Sequence, residues 1–250
     1  MTTAAAKIAD PFADKAVLVT GANRGLGREL VAQALSRGAS RVYAGTRGPL
    51  VHPDRRVTPV RLDVTSAQQI QAAAERVESL DVLVNNAGVA FVDDLGDRAA
   101  IEQHLAVNLF GTYAVTQALL PKLRRSRGAV VNVLSLASLA TVPVTPAYAI
   151  SKAAAFSMSQ SLRALLAGQG VTVHVVLAGP VDTDMIRGWD IPKSPASSVA
   201  HAIFDGVRNG EEEIFPDPMS AALAETWRDG AVKALERQNA AAVQAMAVRR

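Results

Sequence analysis

The 250-residue chain is 49% hydrophobic and only 20% charged, enough apolar material for a sizeable core in a single domain. With 26 basic and 23 acidic residues the formal charge is +3, too small by itself to point to nucleic acid, and the absence of cysteine excludes disulfides and thiolate metal sites. His52, His104, His174 and His201 have no metal-ligand spacing, and no apolar run reaches membrane-spanning length.

The opening "MTTAAAKIADPF" lacks the basic and apolar regions of a secretory signal, so the expectation is a cytoplasmic protein with a disordered arm over 1–13. Beyond it, short runs rich in Val and Leu alternate with helical stretches. Strands are expected at 15–20, 41–45, 56–64, 81–86, 128–135 and 171–179, with a shorter seventh within 211–218. Near-continuous apolar runs suit strands covered on both faces. Helices are expected at about 25–37, 66–79, 98–125 and 147–168. The alternation predicts an α/β, doubly wound parallel sheet of seven strands, Rossmann-like, with no boundary that would divide residues 1–250 into two domains.

The first strand runs into "TGANRGLG" and then directly into a helix. Gly21, Gly25 and Gly27 allow a tight turn and close approach of a ligand, and the free amides of a helix start favour a pyrophosphate. A merely tight turn is the alternative reading. After the second strand comes Arg47, where a free ribose 2′-hydroxyl usually meets a carboxylate; a guanidinium suits a 2′-phosphate, and Arg24 stands in the glycine loop. Each Arg also reads as a solvated surface charge, but together, with the acid missing, they favour NADP over NAD. Asp63 and Val64 follow the third strand and "NNAG" (85–88), with Asn86 and Gly88, follows the fourth; both lie where open α/β sheets bind ligands. Ser135 ends the fifth strand. "PAYAISKAAAF" then puts Tyr148 and Lys152 one helical turn apart, either as a boundary pair with a snorkelling Lys or as a pair with chemistry to do.

Taken in order, "TGANRGLG", "LDV", "NNAG", Asn108 in "AVNLFGT", Ser135 and "YAISK" resemble the motifs of the short-chain dehydrogenase/reductase family, over about residues 14 to 215. The resemblance implies an NAD(P)-binding Rossmann domain whose catalytic set is Asn108, Ser135, Tyr148 and Lys152. It implies cofactor contacts at Gly21, Asn23, Arg24, Gly25, Leu26, Gly27, Arg47, Asp63, Val64, Asn86, Gly88, Tyr148, Lys152, Val181 and Thr183. Tyr148 would give a proton to a carbonyl oxygen, helped by Lys152; Ser135 would bond the same oxygen; Asn108 would hold a water. The stretch "AGPVDTDM" (178–185) departs from the family's Pro-Gly-x-Val-x-Thr, with Ala178 in place of Pro.

Candidate pocket walls at 89–91, 136–144, Pro180 and 185–195 are mostly apolar, with Met185 and Trp189 as lid residues and with Arg187 and Lys193 as the cations that could fold inward. The expected substrate is a neutral, fairly hydrophobic ketone or aldehyde, or the matching alcohol, reduced with NADPH. A 3-oxoacyl thioester on a carrier protein is the runner-up, with "KLRRSRG" (122–128) as a basic patch or simply a solvated helix end. An NADP-binding sensor or scaffold is the non-enzymatic alternative. No metal, nucleic acid or membrane partner is expected. Family dimers and tetramers imply a homo-oligomer, with Ala153, Ala154, Ala155 and Ser159 allowing close helix approach. Asp217 and Pro218 read as the cap and first residue of an added C-terminal helix within a 218–250 extension, weakened at Gly230, with the final residues loose.

Overall fold

The computed structural model describes residues 11–248. Six of the expected strands form as β1 (Ala16–Thr20), β2 (Arg41–Thr46), β3 (Val57–Arg61), β4 (Val82–Asn85), β5 (Ala129–Val133) and β6 (Thr172–Val176). The two-residue strands β7 (Val181–Asp182) and β8 (Ser194–Pro195) pair only with each other, and the short β9 (Glu213–Ile214) completes the main sheet. Its order is β3-β2-β1-β4-β5-β6-β9 and every pairing is parallel. The order reverses beside β1, where neighbouring connections leave to opposite faces and open a crevice at the carboxyl ends of the strands.

Two apolar layers hold the helices to the sheet. Leu30 and Val31 of α1 (Gly25–Ser36) meet Ile203 and Phe204 of the α6 helix, Ala196–Arg208, on one face. The other face is covered by α2 (Ala67–Arg76), α4 (Thr112–Ser126) and α5 (Pro146–Leu166), through Ile70, Leu119, Leu123, Leu162 and Leu166. Each such fully buried side chain contributes about 1.5–3 kcal/mol. Phe12 is also buried, its ring 4.6 Å from Phe204, so the arm expected over 1–13 is anchored from residue 11; residues 1–10 lie outside the described residues.

The single helix expected over 98–125 is three segments: α3 (Arg98–Leu105), a π-helical turn (Ala106–Gly111) and α4. Thr112 Oγ1 donates to the Asn108 carbonyl at 3.0 Å and Thr116 Oγ1 to the Thr112 carbonyl at 2.7 Å, so hydroxyls occupy carbonyls along the widened stretch. Gly111 abuts Val64; a Cβ there would fall 2.7 Å from a Val64 methyl.

Behind the crevice runs a buried polar chain. Asn85 Nδ2 donates to Thr116 Oγ1 and Asn132 Oδ1, both at 2.9 Å, and Asn132 Nδ2 donates to Ser159 Oγ at 2.8 Å. Ser159 and Ala155 therefore face inward, both at 0% exposure, and only Ala153 and Ala154 remain toward the outer face of α5. The expectation that all four small residues line an outer face is corrected: Ser159 is needed to satisfy Asn132.

The C-terminal extension folds as two helices, α7 (Pro218–Arg228) and α8 (Ala231–Val248), broken at Asp229 and Gly230. Trp227 sets its ring edge against Phe156, 5.6 Å away. From α8, buried Lys233 reaches Glu212 (2.7 Å), Glu213 (2.8 Å) and Glu236 (2.9 Å), while Arg163 of α5 bonds Glu213 (2.9 Å) and Glu236. The extension is thus seated on α5 and the β9 edge. The loose end expected for the last residues falls partly on 249–250, which lie outside the described residues.

Candidate active site

A cavity of about 870 Å³ opens at the carboxyl ends of the strands. Its first half is built by the glycine loop. Gly21 (φ +66°) and Gly25 (φ +49°) hold left-handed backbone, and a Cβ on Gly27 would fall 2.1 Å from the Gly21 carbonyl oxygen. No side chain caps the first turn of α1, so its amide N–H groups stay free at the cavity, beside Asn23 and Leu26. Asn86 fastens the loop from the next strand: its Nδ2 donates to the Thr20 carbonyl at 2.9 Å, and Thr20 Oγ1 accepts from the Asn86 and Ala87 amides at 3.0 and 2.9 Å. This geometry fits a dinucleotide pyrophosphate.

Arg47, Asp63 and Val64 line the far end of the same half. The Thr65 amide (2.9 Å) and hydroxyl (2.7 Å) hold the Asp63 carboxyl below its ordinary range, with Arg47 nearby adding to the effect. Arg24 lines the cavity too, but its guanidinium leans 3.5 Å from Asp184 on the opposite wall, both largely exposed.

The second half gathers Ser135 and Tyr148, which both line the wall, close enough for the Ser135 hydroxyl to act on the Tyr148 phenol. Tyr148 opens α5, which starts with Pro146 and whose second amide, Ala147 N–H, is accepted by Asp93 at 3.2 Å. Burial pushes the Tyr148 phenol up to about 12, against a smaller opposite pull from Ser135. Lys152 stands one turn along, 5% exposed, its Nζ 5.6 Å from the Tyr148 ring centre and donating to the Val133 carbonyl at 3.0 Å. Burial pulls its ammonium down to about 8. Asn108 sits behind Gly88, bonded both ways to the Val89 backbone (2.9 and 3.0 Å), and its Nδ2 also donates to Ser151 Oγ at 2.9 Å. Asn108 and Lys152 lie one layer behind the wall; every other residue expected at the site, including Val181 and Thr183, lines the cavity itself.

Phe91, Val142, Met185, Trp189 and Ile191 give the outer walls an apolar surface. Arg187 turns away to bond Asp184, and Lys193 lies exposed beside the Arg187 carbonyl, so neither cation folds inward. The segment departing at Ala178 keeps its place on the sheet, for the Ala178 carbonyl accepts the Leu136 amide at 2.9 Å. The basic stretch 122–128 ends α4 just before β5 begins, at the amino ends of the strands and opposite the cavity.

Three contributors escape sequence reasoning. His104 is wholly buried, its Nδ1 2.7 Å from the Ala100 carbonyl and its Nε2 accepting the Phe91 amide at 3.4 Å, with its ring 4.0 Å from Phe91 and edge-on to Tyr148. Its spacing of four from Asn108 is the one signal that could have placed it on the same helix face. Asp93 caps α5 from a loop distant in sequence. Met219, from α7, joins the cavity wall.

Residues 15–192 match the family model described as short chain dehydrogenase. Over 198 residues the chain is 36% identical to estradiol 17-beta-dehydrogenase 2 of Mus musculus, covering 72% of this chain and 52% of that protein. Over 203 residues it is 36% identical to short chain dehydrogenase pigC of Monascus ruber, covering 70% and 65%. The chain therefore spans between half and two thirds of the length of these relatives. A short chain dehydrogenase of Burkholderia cenocepacia J2315, solved in complex with NADP, superposes with a TM-score of 0.83 at 34% identity, covering 91% of this chain and 98% of that one.

Proposed function

Because the chain belongs to the short-chain dehydrogenase family, we propose that it is an NADPH-dependent oxidoreductase interconverting a neutral, fairly hydrophobic ketone or aldehyde with its alcohol. The observation that carries this reading is the half-buried Tyr148 phenol beside Ser135 on the wall of an apolar-walled cavity that continues into an uncapped helix start. The glycine loop and α1 amides would hold the pyrophosphate, Arg47 with Arg24 the 2′-phosphate, and Val181 and Thr183 the nicotinamide side. Bound there, the cofactor would supply or accept the hydride.

The chain's own residues then manage the oxygen and its proton. Ser135 Oγ and Tyr148 Oη together fix a carbonyl oxygen at the wall. With its pKa pushed up to about 12, the phenol is protonated across the neutral range, which suits a proton donor. Lys152 stands close enough for its charge to favour the phenolate left after that transfer. Its carbonyl bond to Val133 keeps the ammonium aimed at the site. Asn108, tied to Val89 and Ser151, steadies the turn from which Tyr148 projects, since Ser151 Oγ donates to the Tyr148 carbonyl at 2.7 Å.

Docking of a carrier protein at 122–128 is disfavoured by that stretch's position opposite the cavity, so small free ketones are the preferred class. Cofactor oxidation with a panel of neutral ketones, NADPH and NADH run in parallel, tests the proposal. Tight NADPH binding without turnover of any carbonyl would favour the sensor reading instead.

A further inference from the structure

Met219 and Asp217 lie beyond the residues matched to the family, yet Met219 lines the cavity and Asp217 bonds Gly179, which lines it too. We propose that the first turn of α7 is a fixed wall of the substrate site, in which Met219 sets the size of the neutral substrate and Asp217 holds the turn against Gly179. The inference rests on the oxidoreductase reading above and assigns the specificity of that same site.

Contact between the turn and the floor is close. The Gly179 amide donates to Asp217 Oδ2 at 2.8 Å. A Cβ on Gly179 would fall 2.7 Å from Asp217 Oδ1 and 3.4 Å from Met219 Cβ, so α7 approaches as near as only glycine allows. Asp217 is 5% exposed, and both its carboxylate oxygens are used: Oδ1 accepts the Ser220 amide at 3.0 Å, and Oδ2 also accepts Ser220 Oγ at 2.8 Å. One carboxylate thus closes the capping box of α7 and ties that helix to the cavity floor. Pro218 restricts the backbone between cap and wall. Farther along, Trp227 on Phe156 and the Lys233 charge cluster hold the rest of the extension, so the first turn has no freedom to swing away as a lid.

Met219 itself is 53% exposed and lines the cavity, so its side chain is not part of the core. An unbranched, polarisable side chain offers a substrate dispersion contact and no hydrogen bond or charge of consequence. It therefore selects by size among neutral, apolar substituents.

The experiment compares the full-length protein with Met219→Trp and Met219→Ala on a series from small alkyl to bulky aryl ketones at saturating NADPH. One methylene in an apolar pocket is worth about 10–200-fold, so Met219→Trp is expected to shift the bulky-to-small ratio of kcat/KM down by about tenfold or more, and Met219→Ala to shift it up. NADPH affinity, followed by its fluorescence, stays at the parent value. Asp217→Ala is expected to raise KM for ketones about tenfold with a smaller change in kcat, and Asp217→Asn, which keeps one of the two accepting oxygens, to recover only part of that loss. A bulky-to-small ratio unchanged in both Met219 variants overturns the proposal, as does an Asp217→Ala variant that is folded and has parent KM. If Asp217→Ala does not fold, the Met219 pair decides. If the parent protein reduces no ketone, the enzymatic reading fails separately, and the wall is read from Nile red binding to the NADPH-loaded protein. A fall of about tenfold in dye affinity for Met219→Trp then upholds the wall, and equal affinity overturns it.

Discussion

Lys152 is a buried ammonium whose cost can be measured apart from its chemistry. Replacing it by Met keeps the length and apolar stem of the side chain and removes the charge. The fall from 10.5 to about 8 corresponds to about 3 kcal/mol disfavouring the charged form in the folded chain. The sign follows from which state holds the proton more tightly. Below about pH 8 folded and unfolded chains are both protonated and the full cost stands; between about 8 and 10.5 the folded chain releases its proton first, and the cost relaxes as pH rises. Wild-type stability should therefore gain about 2 kcal/mol on Lys152→Met between about pH 7 and pH 10. At neutral pH Lys152→Met should be as stable as wild type or more so, offset by the Val133 carbonyl left without its donor, about 1–3 kcal/mol. Urea unfolding of both proteins at the two pH values, at one fixed protein concentration, reads the difference. A gap that does not change with pH would refute a buried, charged Lys152. Turnover should be lost in Lys152→Met at either pH.

Other outcomes follow from the same geometry. Tyr148→Phe should lower turnover by about 10²–10⁴-fold while NADPH still binds, and near-parent activity would remove the phenol from its role. Arg47→Asp should turn preference from NADPH toward NADH, measured as the ratio of kcat/KM for the two cofactors; equal use of both by the parent protein would count against the 2′-phosphate reading. His104→Leu leaves the Phe91 amide without its acceptor, so a loss of about 1–3 kcal/mol in urea unfolding and a raised ketone KM are expected together. Phe110 (60% exposed), Tyr113 (49%) and Ile150 (42%) lie on the outer side of the π turn, α4 and α5, and light scattering is expected to report at least a dimer that Tyr113→Glu weakens.

The strands were legible because a strand covered on both faces must be apolar throughout, and "KAVLVT" and "GAVVNV" have few other ways to be buried. The glycine loop and the Tyr148–Lys152 pair were legible because their spacing is local. What depended on contacts far apart in sequence was not. Nothing in "AVNLFGT" distinguishes a π turn from an α turn, and the stretch packs Gly111 against Val64, 47 positions away. Ser159 looked like a small outward residue until Asn132, 27 positions away, claimed its hydroxyl. Asp217 was readable as a helix cap, but its second task, on Gly179, is set by how α7 meets the end of β6. His104 and Asp93 act through backbone amides of other segments, which leave no trace in their own neighbourhoods.

The two margins of the sheet bear on how copies of the protein can meet. At one margin β3 carries Pro59, which has no amide to offer, and the exposed charge of Arg61. At the other, β9 is only two residues long. A strand from a second molecule would find a gapped template on one side and a two-residue stub on the other. Growth of the sheet into an open-ended stack is thereby discouraged at both ends, and an assembly that closes on itself has to be made through helices.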